Sequence, residues 1–206
     1  MKIPPIYGKR TLALASAMLL CGSMSLAQMQ RNPGAEGPGQ NPTTDPQMNG
    51  MQAAGQASPM DKMFVRKAMQ GGMAQVQLGQ LTLQKTDNDQ VKQFAQRMID
   101  DHTRMNDQMK PVAQQLGVDV PAQISKKDRA TMAKLQALSG AAYDQAYIKD
   151  MVKDHKQDLS DFQMEASSGQ DQTVKDAASQ GSKVIAQHLQ LAQQMAKNQN
   201  VAMNGQ

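Results

Sequence analysis

From residue 61 onward, apolar positions recur at steps of three and four, the spacing that gathers side chains on one face of an α-helix. Four long segments carry this pattern. The first, about 61–86, presents Val65, Met69, Gly72, Val76, Gly79 and Leu83. The second follows the Asp87-Asn88-Asp89 turn and runs to about Leu116, with the stripe Val91, Phe94, Met98, His102, Met105, Met109, Val112 and Leu116. The third, about 141–168, aligns Tyr147, Ile148, Met151, His155, Leu159, Phe162 and Ala166. The fourth, about 171–198, aligns Val174, Ala177, Gly181, Val184, His188, Leu191 and Met195. A short amphipathic segment, about 126–138, sits between the second and third. No stretch shows the two-residue alternation of a strand. Asp61 is the expected N-cap of the first helix, and Gly117 and Gly169 are the expected stops of the second and third. Pro111 falls in the last turns of the second helix and is expected to kink it. Gly72 and Gly79 lie seven apart on one face. Each glycine costs about 1 kcal/mol in a helix relative to Ala, so the pair predicts a neighbouring helix in close approach.

The connectivity follows from a weak internal echo. Met98-Ile99-Asp100-Asp101-His102 matches Met151-Val152-Lys153-Asp154-His155 in the frame Met, aliphatic, any, Asp, His. Each copy lies near the middle of its helix. This predicts two helical hairpins joined by the long connection 117–140, which is the ferritin-like arrangement. The expected fold is therefore all-α: a ferritin-like four-helix bundle with a long crossover containing a short helix. Such a crossover runs the second and third long helices in the same direction and sets His102 and His155 at one height.

Before the helices the composition changes. Lys2, Lys9 and Arg10 precede a short apolar stretch, 11–20, and Ser25-Leu26-Ala27 supplies small residues at a cut site. This is the pattern of a secretory signal peptide, 1–27. The apolar stretch is too short to span a bilayer, and no transmembrane segment is expected elsewhere. Residues 28–59 are rich in Gln, Asn, Gly, Pro and Met without any period, and are expected to form a disordered tether. The bundle domain is expected over 60–198, with a frayed tail at 199–206. The leader removes three of the 22 Lys and Arg, leaving 19 against 18 Asp and Glu. A nearly neutral mature chain with no basic run and few aromatics argues against nucleic acid as a partner. The envelope partner stays open, with a homo-oligomer among the options. Cys21 is the only cysteine, and it lies in the leader, so thiol and disulfide chemistry are excluded from the mature chain. Leu20 before Cys21 departs from a lipoprotein processing site, which expects a small residue there. The expected location is the periplasm or the outer membrane.

The candidate chemistry rests on the histidines. The chain has three, His102, His155 and His188, and all fall on apolar stripes, where a polar ring is costly without a partner. Three readings are open: satisfied core histidines, which is the ordinary case, a metal site, and a protonation switch. A di-iron site would need inward Glu and two Glu-x-x-His pairs, whereas the chain has only Glu36 and Glu165. Imidazole with thioether suits copper, and imidazole alone suits zinc. Met98 and Met151 stand one turn before His102 and His155 and join the three histidines as candidate ligands. Asp101 and Asp154, each beside a histidine, are candidate partners that orient an imidazole. No nucleophile or zinc-protease motif occurs, so no catalytic residue is assigned and the chain is expected not to be an enzyme.

Several segments together resemble a known bacterial family. They are Phe64-Val65 with Gly71-Gly72-Met73-Ala74 and Leu78-Gly79, then Val91-Lys92 with Phe94-Ala95-Gln96-Arg97-Met98 and Asp101-His102. Ser139-Gly140-Ala141-Ala142-Tyr143-Asp144, Ala146-Tyr147, Met151, Asp154-His155 and His188-Leu189 follow. Over about 61–197 the chain resembles the domain of unknown function 4142, a family labelled as outer-membrane proteins. The resemblance implies a ferritin-like bundle and an envelope location, and it carries no activity. Gln75 and Gln77 stand where acidic residues are expected in many members, which removes any acid-dependent role of that segment.

Overall fold

Ser58, not Asp61, begins the first helix. Its hydroxyl accepts from the Asp61 backbone N–H while the Asp61 carboxylate reaches back to the Ser58 N–H. This reciprocal capping box satisfies two N–H groups that would otherwise lack partners at the helix start. Pro59 takes the first helical position, where its missing N–H costs nothing. The end of the expected 28–59 tether therefore belongs to the helix. The computed structural model describes residues 57–203. The expected leader, Cys21 and the tether up to residue 56 lie outside the described residues.

Among the described residues there are five helices and no strand: α1 Pro59–Lys85, α2 Asp89–Gln115, α3 Lys126–Gln136, α4 Gly140–Ser168 and α5 Gln172–Asn198. Asn88, Ser125 and Asp171 cap α2, α3 and α5 through their side chains. The stop after α2 is a Schellman turn: Gly117 takes φ 63, and Val118 N–H bonds back to the Ala113 carbonyl at 2.8 Å. Only glycine adopts that backbone region freely. No helix of the described residues is long and apolar enough to cross a membrane.

The long helices form two hairpins, α1–α2 and α4–α5, with α3 in the crossover. The run of α4 follows from two contacts with α1. Tyr143, at the start of α4, bonds Thr82 near the end of α1, and the turn after α4 at Gln170 bonds Asp61 at the start of α1. α1 is therefore antiparallel to both α2 and α4, and α2 runs parallel to α4, as the long crossover requires. Lys85 pins that crossover by donating to the Gln136 and Leu138 carbonyls.

The glycine pair on α1 does bring a helix close. A Cβ at Gly72 would stand 2.3 Å from the Asn106 side chain, and one at Gly79 would stand 2.7 Å from Ile99 and 2.9 Å from the Ala95 carbonyl. The inner face of α1 differs from the apolar stripe, however. Val76 and Leu83 are only half-buried, while Gln75, Leu78 and Thr82 point inward. Polar side chains win these positions because each has a hydrogen-bond partner: Gln75 donates to the half-buried Asp154, and Thr82 bonds the Leu78 carbonyl and Tyr143. On α5 the buried face is Val174, Ala178, Gly181, Ile185, His188, Ala192 and Met195, so Ile185 replaces Val184 and Ala192 replaces Leu191.

The core has two apolar clusters. One holds Phe94, Met98, Tyr143, Tyr147, Ile148, Met151 and Ala192. The other holds Phe64, Val65, Met69, Met109, Phe162 and Ile185. On three helices the histidine is the residue between the two clusters: His102 between Met98 and Met109, His155 between Met151 and Phe162, and His188 between Ile185 and Ala192.

Candidate metal centre

The three rings meet in that gap. Ring centroids lie 5.8 Å apart for His102 and His155, 5.3 Å for His102 and His188, and 5.5 Å for His155 and His188. One ring nitrogen from each lies within 4.8 Å of those of the other two, and all three residues are buried. Metal-bound imidazole nitrogens stand about 2.0–2.1 Å from a zinc ion, or about 3.4 Å from one another in a tetrahedron. Shifts of under about 1 Å per nitrogen would close the triangle to that size.

Hydrogen bonds fix the tautomers of two of the three rings. His155 Nδ1 lies 2.9 Å from the Met151 carbonyl. A carbonyl only accepts, so Nδ1 carries the proton and Nε2 is a bare lone pair. His188 Nε2 lies 2.9 Å from Asp101 Oδ2, which by the same logic leaves Nδ1 bare. Those bare atoms, His155 Nε2 and His188 Nδ1, together with His102 Nε2, are buried and have no hydrogen-bond partner among the described residues. Buried polar atoms are nearly always paired. Three exceptions converging on one point form a donor set, with two of its members oriented from behind by a carbonyl and a carboxylate. Asp101 is itself held by Arg97 at 3.3 Å and Arg104 at 3.0 Å.

Burial also works against the charged form of each ring. Desolvation, followed by the neighbouring imidazoles, holds His102 well below its ordinary value. Desolvation brings His155 to about 4, against the pull of Asp154. His188 is lowered by desolvation despite the Asp101 carboxylate that works to raise it. A neutral imidazole is the form that binds a metal, and all three shifts run toward that form.

A family model for DUF4142, a domain of unknown function, matches residues 46–195. The chain belongs to the DUF4142 family. No curated protein matches it. Among solved structures, this DUF4142 chain is similar to a DUF305 protein of Streptomyces coelicolor described as secreted, at 14% identity. That similarity has a TM-score of 0.62 and covers 71% of this chain and 96% of the other. At that identity the likeness shows a shared helical fold alone.

Within the DUF4142 domain, the structure brings His102, His155 and His188 together. Met98 and Met151 are fully buried one turn before, in the cluster with Phe94, Tyr147 and Ile148. The Asp beside each histidine does not serve its own neighbour. Asp101 orients His188, on α5, because sequence neighbours on a helix diverge by about 100°. Asp154 accepts instead from Gln75 at 2.7 Å and Lys127 at 3.2 Å. Gln75, read from sequence only as a missing acid, is fully buried beside this layer, and its Oε1 has no partner among the described residues. Sequence reasoning also missed Asn106. The signal was present, since Asn106 follows His102 by four residues and so shares its face.

Proposed function

We propose that this chain is an exported helical-bundle protein that binds a transition-metal cation, zinc or copper, through His102, His155 and His188. The observation that carries the reading is the convergence of three buried histidines, each with one ring nitrogen that has no partner among the described residues. Three neutral imidazoles with no thiolate favour a borderline metal over a hard one such as magnesium or calcium. Export is supported by the basic, apolar and small-residue order of residues 1–27 and by the description of the DUF305 relative as secreted. The role is that of a binding protein rather than an enzyme, in keeping with a sequence that offers no nucleophile motif.

A second reading makes the rings core polar groups only. The Asp101–His188 bond, which ties α2 to α5, favours it. It leaves the three inward nitrogens unexplained, and each such atom costs about 1–3 kcal/mol.

Calorimetric titration of the metal-free chain with zinc and with copper decides between them. One equivalent should bind, and His102→Ala and His155→Ala should each abolish it, since a three-ligand site tolerates few losses. Asp101→Asn should weaken binding by about 10–100-fold through loss of the carboxylate behind His188. Met98→Leu and Met151→Leu should leave zinc unaffected; loss of copper alone would add the thioethers to the ligand set. Absence of binding, or binding that survives both histidine changes, defeats the proposal.

A further inference from the structure

Three imidazoles leave a metal short of a full shell, and among the described residues no fourth His, Asp or Glu donor joins the cluster. Zinc sites with three protein ligands keep a fourth position for water or substrate. Next to the cluster lies a partly open cavity of about 30 Å³ lined by residues of α1, α2, α4 and α5, and His102 forms part of its wall. Space for one water takes about 10–15 Å³ by this measure. The cavity therefore fits one or two waters, or a linear ligand of two or three atoms.

Its lining is built for that size. Phe162, Met105 and Met109 supply apolar walls, and Asn106 places an amide one turn from His102. That amide fits only because residue 72 is glycine, where a Cβ would stand 2.3 Å from Asn106 Oδ1 and 2.8 Å from Nδ2. The glycine costs α1 about 1 kcal/mol of helix propensity, and in return the α2 side chain packs flat against the α1 backbone at the edge of the cavity. Asp158, Asp161 and Lys67 complete the rim on the α1–α4 side, where Lys67 and Asp161 pair.

We infer that this cavity is the exogenous-ligand position of the metal held by the three histidines, sized for water or another ligand of one to three atoms, with Asn106 seated by Gly72 as the polar group that contacts it. The inference rests on the metal reading above, and its test separates the two. The chain loaded with cobalt(II) reports metal binding by its visible d–d bands, and azide then reports the open position by shifting those bands. Wild type should bind cobalt and respond saturably to azide. Gly72→Ala should retain cobalt and weaken azide about tenfold or more, a loss of about 1.4 kcal/mol or more, as the displaced amide takes up the space. Asn106→Leu, which keeps the shape of the side chain and removes its amide while leaving Gly72 in place, should also retain cobalt and weaken azide, and serves if Gly72→Ala fails to fold. Cobalt binding with no azide response overturns the inference while leaving the metal site intact, and would point to Gln75 Oε1 as a fourth ligand. An azide response equal in wild type and both variants overturns it too, because the ligand then reaches the metal by another route. Absence of cobalt binding, with zinc and copper also absent, removes the metal reading and this inference together.

Discussion

His102→Leu separates a metal ligand from a core histidine more sharply than any truncation. His102 makes no side-chain hydrogen bond among the described residues, and its Nε2 is buried without a partner. In the metal-free protein the ring therefore contributes packing and a desolvation penalty, with no bond to set against it. Leucine keeps most of the volume, which limits any cavity cost, and it removes an unsatisfied atom worth about 1–3 kcal/mol. The expected metal-free result is a gain of about 1–2 kcal/mol. At roughly 2–4 °C per kcal/mol for a domain of this size, Tm should rise by about 2–8 °C. With zinc present at a hundredfold excess over Kd, wild type should gain about 2.7 kcal/mol by linkage. The variant should gain nothing, so the order of stabilities inverts between chelator and zinc. Scanning calorimetry with and without chelator measures both. A metal-free variant that loses about 2 kcal/mol or more, in the range of ordinary core truncations, would show that the ring is satisfied by the fold and would refute the reasoning.

Two further outcomes concern the ends of the bundle. Glu165 is pushed up to about 7 by burial and by Asp61, the charged group facing it from α1, while Asp171 caps the adjoining α5. Burial works to raise Asp61 as well, but hydrogen bonds from the Gln170 and Ser58 backbone and from Glu165 hold it below its ordinary value. The folded pKa of Glu165 is above the unfolded one, so its contribution is full below about pH 4.5 and is lost as pH rises to about 7. At about 1.4 kcal/mol per pH unit the ceiling is about 3 kcal/mol, and solvent screening at this end should reduce it to about 1–2 kcal/mol. Urea midpoints across pH 4–8 should show that fall in wild type and a flatter profile in Glu165→Gln; equal profiles would contradict the carboxyl pair. At the other end, Thr82 donates to the Leu78 carbonyl, so the Tyr143 hydroxyl donates to Thr82. Tyr143→Phe should cost about 1 kcal/mol, and Thr82→Val, which strands the phenol, about 1–3 kcal/mol. The reverse order in chemical denaturation would reject that bond direction.

Periodicity alone determined four long helices, a short one in the crossover, and the burial of all three histidines. Those properties are local, because a step of 3.6 residues assigns a face wherever the helix packs. The repeated Met-aliphatic-x-Asp-His frame and the length of the 117–140 connection also foretold that α2 and α4 run in parallel, which sets His102 and His155 at one height. The Gly72–Gly79 spacing foretold close approach. What sequence left open depends on atoms supplied by other helices. Whether a buried imidazole is satisfied turns on its second nitrogen. The carbonyl that fixes His155 belongs to Met151 of its own helix, but only the packed bundle shows Asp101 reaching past its neighbour to His188 and three ring nitrogens left without partners. The inward turn of Gln75 and Thr82 over Val76 and Leu83 was likewise invisible, because a polar side chain is buried when a partner waits across the interface, and hydropathy along one helix holds no record of what stands opposite. Asp61 shows the same limit at short range: its place as third residue of the capping box, and not as the cap, came from the bonds it makes to Ser58, Gln170 and Asp171.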